Sequence, residues 1–160
     1  MLTKNLQKDC SVWLFQCNPE KYRIEAALND AQINHCFHWL VKQHKQDITK
    51  GDTALIWCSG QSAGIFAIAE ILTNPELQVE TKYESEYWID DTGERGTQTR
   101  VKLKLETNLS DTPVHKKTML QIQGLQQMRI FKMPRGTNFR VSQDEWKIIQ
   151  GLIQDRKGDR

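Results

Sequence analysis

The sequence predicts an α+β fold: a curved sheet or small barrel of five or six strands flanked by helices. Three observations carry this. "SVWLFQC" (Ser11 to Cys17) is an almost continuous apolar run, as a strand covered on both faces requires. "TALIWC" and "IFAIAEIL" flank a short polar turn containing Gly60 and Gly64, the pattern of a buried hairpin. The chain closes on a capping box, Ser142 and Glu145, followed by Trp146, Ile149, Leu152 and Ile153 along one face of a terminal helix.

The intervening segments fill in the order. Asn18 and Pro19 after the first strand form a helix start, Asn as N-cap and Pro in the first turn, with Ile24, Ala27 and Leu28 at helical spacing. "HCFHWLV" is a second strand, weaker in pattern. Lys50, Gly51 and Asp52 turn the chain into "TALIWC". From Asn74 to Gly96 the composition becomes polar and acidic, an excursion with Tyr87, Trp88 and Ile89 as a strand before a tight turn at "DDTGERG". "TRVKLKLE" then alternates, with Val101, Leu103 and Leu105 on one face and Arg100, Lys102 and Lys104 on the other, as a half-exposed antiparallel strand does. "TPVHKKTMLQI" holds a short helix. There are no repeats and no low-complexity tract.

At 160 residues, one domain is expected. No apolar run approaches the ~20 residues that span a bilayer, and "MLTKNLQKDC" lacks the apolar stretch of a signal peptide. A cytoplasmic protein without membrane contact is therefore expected. Cys10, Cys17, Cys36 and Cys58 form no CxxC pair and read as reduced thiols. His35, Cys36 and His38 in "HCFH" would supply half a zinc site and the other half is missing, so neither metal nor cofactor is expected. No HExxH, GxSxG, Walker or GxGxxG pattern occurs, and no catalytic-cysteine signature surrounds any thiol, which favours a binding protein over an enzyme.

Charge is segregated along the chain. From Thr112 to Arg140 there are six cations (Lys116, Lys117, Arg129, Lys132, Arg135, Arg140) and no acid, whereas Glu76 to Glu94 holds seven acids and one lysine. "MRIFKMPRGTNFR" interleaves cations with apolar residues around a Gly turn, and such a segment either tracks a phosphate backbone or is a solvated loop. If it tracks phosphate, the acidic excursion must point away from the polyanion. The five tryptophans divide similarly. Trp13 and Trp146 read as core. Trp39 and Trp88 sit among polar residues, where aromatic faces beside a pocket can sandwich a flat ring. Trp57 is either packing or part of such a slot.

"VWLFQCNP" at 12–19, "HW" at 38–39, "GD" at 51–52, "IWCSGQSAGIFAIAEI" and the later "RGTNFRVSQDEW" resemble, in order and spacing, the successive motifs of the EVE domain, a PUA-like fold related to the YTH readers. The resemblance runs from about Val12 to Leu152 and implies one EVE/PUA-like domain over residues 1–160 with its core at about 11–154. It implies a compact mixed barrel that binds a modified base in an aromatic pocket, most often modified cytosine such as 5-methylcytosine or 5-hydroxymethylcytosine in DNA, with the base flipped from the duplex. Carried onto this chain, "HWLV" makes Trp39 the leading cage residue, Asn18 a contact to the base edge, and "WCSG" (Trp57, Ser59, Gly60) the pocket floor. Trp88 is the candidate opposite wall. The chain holds no ATPase or nuclease domain, so any cleavage is expected from a separate partner.

The expected function is thus a non-catalytic reader whose cations hold the nucleic-acid backbone while a base enters beside Trp39. Three other readings stay open. A reader of modified RNA would use the same pocket, with the 2′-hydroxyl as discriminator. An enzyme acting on a nucleobase would need an acid/base pair, for which Asp90 and Asp91 are poor material because they read as solvated turn residues. A protein-interaction module would use the sheet edge and bind no oligonucleotide.

Overall fold

The structure is a computed structural model that describes residues 10–89 and 95–158. Period-2 patterning in the central strands builds two cores, one on each face of a single sheet. On β1 (Val12–Cys17), Trp13 and Phe15 point into one core while Val12 and Leu14 point into the other. On β3 (Thr53–Cys58), Ala54, Ile56 and Cys58 join the first and Leu55 and Trp57 the second. A strand covered on both faces has few polar positions to spare, which is why both read as nearly continuous apolar runs.

The sheet is mixed. β1 and β3 run parallel, with Cys17 opposite Cys58 at their ends. β3 pairs antiparallel with β4 (Gly64–Ile71) as the expected hairpin, with a bulge between Ile56 and Trp57. Gly60 in the connecting turn has φ +106°, and a side chain at Gly64 would lie 2.5 Å from the Val114 carbonyl oxygen, so both glycines are needed where they stand. β4 pairs with β6 (Gln98–Asn108), and β6 with β2 (Phe37–Leu40), where Trp39 faces Val101. On the other side β1 pairs with β8 (Asn138–Val141). The path is therefore β2-β6-β4-β3-β1-β8, with β5 (Glu76–Gln78) added to β6 and β7 (Val114–His115) to β4. Six strands lie on the path, and two short ones bring the total to eight among the described residues.

The helices are mostly single turns: α1 (Ile24–Leu28), α2 (Lys82–Ser85), α3 (Lys116–Met119) and α4 (Arg129–Lys132). The long one is α5 (Gln143–Gly158), which opens with the expected capping box: Glu145 N–H donates to Ser142 Oγ at 3.1 Å and Ser142 N–H to Glu145 Oε1 at 2.9 Å. Ile149 and Ile153 bury against the second core, with Trp146 and Leu152 half-buried beside them.

Three local expectations are corrected. Asn18 does not cap α1: its side chain accepts from Glu20 N–H at 2.9 Å in an Asx turn, and the helix starts only at Ile24, behind Arg23, which makes no side-chain cap bond. Tyr87, Trp88 and Ile89 form no strand, only an isolated bridge between Trp88 and Tyr22. Arg100 is not on an exposed face but 1% exposed. Its guanidinium donates to the carbonyls of Gln78 and Gly96, because the excursion folds back over that face of β6 and brings acceptors with it. Most of the "DDTGERG" turn, Asp90 and Asp91 included, lies outside the described residues.

The two ends of the path, β2 and β8, approach without a ladder between them. The buried Asn138 side chain spans the gap: Oδ1 accepts from Lys42 N–H at 2.7 Å and Gln43 N–H at 3.2 Å, and Nδ2 donates to the Leu40 carbonyl at 3.0 Å. Gln43 answers from the other side, its Oε1 accepting from the backbone of Thr137 and Asn138. A second buried polar group anchors the far end of β1, where Asp52 accepts from Trp13 Nε1 at 2.9 Å, Thr49 N–H at 2.9 Å and Ser11 N–H at 3.1 Å. Asn138→Ala removes three bonds to backbone groups at once, one of them fully buried, and is expected to destabilise the fold by about 3 kcal/mol, read as a lowered urea midpoint. An unchanged midpoint would mean that the seam is held by something else.

Candidate functional site

The open seam contains a cavity of about 440 Å³, within the ordinary range for small-ligand sites. β1 ends at its edge and contributes Gln16, Cys17 and Asn18; Ser59 follows β3; Phe37 to Leu40 come from β2; Pro134 to Thr137 approach from the β8 side. The last segment is held by Gln16, whose Nε2 donates to the carbonyls of Pro134 at 2.8 Å and Gly136 at 2.6 Å. Ile24, Ala27, Leu28 and Ile33 supply apolar lining from α1 and the turn after it.

Of the residues singled out from the sequence, Trp39, Asn18, Ser59 and Trp88 come together on this cavity. Trp39 is 8% exposed and belongs to the first core, stacked on Phe15 at 6.3 Å and 24° and edge-on to Phe37 at 6.5 Å. Its indole is thus fixed in orientation before any ligand arrives. Trp88 is half-buried and held by its bridge to Tyr22, a T-shaped ring contact at 4.8 Å, and a 2.6 Å hydrogen bond from Nε1 to Glu80 Oε1. Asn18 is exposed, its Oδ1 used in the turn.

Trp57 and Gly60 are not part of the lining. Trp57 has the opposite parity on β3 and packs edge-on against Phe131 in the second core at 5.9 Å. Gly60 shapes the turn beyond Ser59. The cations split in two. Arg129, Lys132, Arg135 and Arg140 surround a second hollow that shares Pro134, Arg135 and Gly136 with the first, so it continues directly from the cavity mouth. Arg140 is partly engaged, 4.5 Å over the Trp13 ring and 3.8 Å from Asp47. Lys116 and Lys117 are exposed on α3 and line neither hollow; Lys116 N–H bonds the Ala63 carbonyl in the β3–β4 turn.

The acidic excursion does not simply turn away, because two of its carboxylates point inward. Thr81 and Glu84 cap α2 reciprocally, and the buried Glu84 carboxylate also accepts from His38 Nδ1 at 2.8 Å and from His38 N–H. Burial pushes the Glu84 carboxyl up, but the bonds from His38 and Thr81 outweigh it and hold it below its ordinary value. Glu80 lines the cavity, and there burial wins over Trp88 and Arg100, leaving its carboxyl raised. Tyr22 is pushed far up by burial and by these two carboxylates; its hydroxyl donates to the Glu84 carbonyl. The Cys58 thiol is pushed far up by its hydrogen bond with Cys17 and by burial, away from the thiolate a nucleophile needs. The sequence did carry a signal for part of this arrangement, since Thr81 to Glu84 has the Thr-x-x-Glu spacing of a capping box. The same carboxylate's reach to His38 is set by tertiary packing.

The sequence pattern of the EVE domain family matches residues 11–152. Nothing among curated proteins matches the chain by sequence. Among solved structures, human THYN1 in complex with 5-methylcytosine-containing DNA is 16% identical, with a TM-score of 0.61 over 89% of this chain and 96% of that one. A hypothetical protein from Leishmania major superposes at TM-score 0.65 with 18% identity, covering 93% and 98% of the two chains. Rpa0253 from Rhodopseudomonas palustris gives 0.58 with 23% identity over 86% and 89%. At these identities the likeness establishes the fold, a PUA-like curled half-barrel.

The two inward carboxylates make opposite contributions to stability. Glu80, raised, favours the folded state as the pH is lowered through its folded value. Glu84, depressed, gives stability that is complete above the ordinary carboxylate value of about 4.3 and is lost as the pH falls through its lower folded value. The urea midpoint is expected to hold or rise slightly from about pH 7 to 5 and to fall below about pH 4. In His38→Phe, Glu84 loses its main lowering partner, its folded value moves up against the ordinary one, and stability is lower at neutral pH with a shallower acid-side fall. Superimposable acid limbs in variant and parent would contradict the pairing.

Proposed function

The chain belongs to the EVE domain family, and from that premise we propose that it is a non-catalytic reader of a modified nucleobase, presented by DNA and most often a modified cytosine. The observation that carries this reading is a cavity of about 440 Å³, room enough for a nucleobase, lined by two tryptophans, Trp39 and Trp88, together with Asn18 and Ser59, and continuous with a cationic hollow. The complex of human THYN1 with 5-methylcytosine-containing DNA supports it by analogy of fold.

The roles follow from chemistry. Arg129, Lys132 and Arg135 neutralise phosphates and release counterions, a contribution that ignores sequence. A nucleotide rotates out of the duplex at a cost of a few kcal/mol, and stacking on indole faces, ~1–3 kcal/mol per base, offsets it. Stacking accepts every base, so polar groups on the wall read the edge. A 5-methyl group gains ~1–3 kcal/mol from a fitted apolar recess, which limits discrimination to about 10- to 200-fold. The Cys58 thiol, its ionisation suppressed, offers no nucleophile, and cleavage, where it occurs, belongs to a separate nuclease or ATPase partner. A cytoplasmic setting is proposed with it: Cys10, Cys17, Cys36 and Cys58 are free, as thiols stay in a reducing compartment.

Trp88→Ala tests the wall at a half-buried position that the core does not depend on. Affinity for a 5-methylcytosine duplex is expected to fall about 10- to 100-fold in a fluorescence titration, and unaltered affinity would remove Trp88 from the site. Changing Arg129, Lys132 and Arg135 together to Ala is expected to lower the slope of log affinity against log salt by about 2 to 3. An unchanged slope would place the backbone track elsewhere. Competition between deoxy and ribo oligonucleotides of one sequence decides the polymer, and preference for the ribo strand would replace DNA by RNA.

A further inference from the structure

His38 lines the cavity and differs from the other polar residues there in being locked at one nitrogen. Nδ1 lies 2.8 Å from Glu84 Oε2, and that carboxylate is itself fixed by Thr81 N–H, Thr81 Oγ and the His38 backbone N–H. All of these groups donate to Glu84. The carboxylate therefore has an acceptor turned toward Nδ1, and a neutral imidazole in this position carries its proton there. Its second nitrogen, Nε2, is then a bare acceptor. No described group hydrogen-bonds Nε2, and among the described residues no buried polar side-chain atom lacks a partner, so Nε2 is accessible rather than sealed. The side chain around it is only 6% exposed, which keeps bulk water from competing freely for the lone pair.

We propose that His38, oriented by Glu84, is the specificity-determining acceptor of this cavity and selects nucleobases that carry an exocyclic amino group over those that carry a carbonyl at the same ring position. The inference rests on the reader assignment and deepens it from any flat modified base to the amino-bearing class. An amino hydrogen completes the one open acceptor, whereas a carbonyl oxygen there meets lone pair with lone pair and leaves both desolvated without a partner. Glu84 acts as a positioning residue. It touches no ligand and sets which nitrogen of His38 is free.

The discriminating pair is 5-methylcytosine against thymine, which share the ring methyl and differ in the amino or oxo group at position 4. Single-stranded oligonucleotides of otherwise identical sequence remove any difference in pairing strength. The native protein is expected to bind the 5-methylcytosine strand about 10- to 100-fold more tightly. His38→Phe, which keeps a flat ring but no acceptor, is expected to bring the two within about 3-fold; a variant that keeps the preference would overturn the inference. Equal affinity of the native protein for both strands would overturn it while leaving the reader assignment standing. Binding to neither strand at low salt would overturn the reader assignment and this inference with it. ¹⁵N spectra of the free native protein give a test that needs neither variant nor ligand: the proton of the neutral His38 ring is expected on Nδ1, and an Nε2–H tautomer would overturn the assignment.

Discussion

The molecule depends on a seam that is closed by side chains instead of by a strand ladder. A curling sheet whose edge strands met in register would become a barrel filled with its own side chains. Here Asn138 and Gln43 reach across between β8 and the end of β2, each satisfying backbone groups of the other side. Side-chain amides hold the edges together at one level and leave them apart elsewhere, and the cavity occupies that gap. The same amides satisfy backbone groups that would otherwise be costly to bury, so closing the fold and opening the site are one arrangement.

Around that gap the rigidity is uneven in a useful way. Trp39 is locked into the first core by Phe15 and Phe37, while Trp88 stands on a segment attached through Tyr22, Glu80 and the Tyr87 hydroxyl bond to Asp30 at 2.6 Å. One wall is thus core and the other is a strap bonded to it. The strap's acidic residues are not a uniform repulsive surface toward a polyanion, since Glu80 and Glu84 are turned inward and engaged by Arg100, Trp88 and His38. The cations gather instead on the β8 side of the mouth, leaving a positive approach to a recess whose lining mixes apolar side chains with polar ones such as Asn18, His38, Ser59 and Glu80.

Much of this was legible in the amino-acid order. The alternation and runs in β1, β3, β4 and β6 identified those strands, because side-chain period is a local property of an extended chain. The Ser142–Glu145 box marked the last helix for the same reason. Asn18 misled, since an Asn-Pro pair suits a helix cap and an Asx turn equally, and only the following path of the chain chooses. Arg100 misled more deeply: alternation assigned it to solvent, but a segment twenty residues earlier covers it. Trp57 looked like a site residue because it shares the "WCSG" stretch with Ser59, yet strand parity sends Trp57 into the second core, while Ser59 lies past the end of β3, where the chain turns onto the cavity edge.

By itself, then, the sequence determined the fold class, the main strands and the terminal helix through local periodicity, and the family through ordered motifs, whose resemblance also pointed to Trp39, Asn18 and Ser59 as a group. Tertiary structure alone decided which tryptophans face the cavity, which cations share its mouth, and that His38 meets Glu84 across forty-six positions of chain. These are contacts between segments whose separation in sequence carries no imprint of their meeting in space. Burial and hydrogen-bond completion are settled only when the sheet curls and its two edges come together.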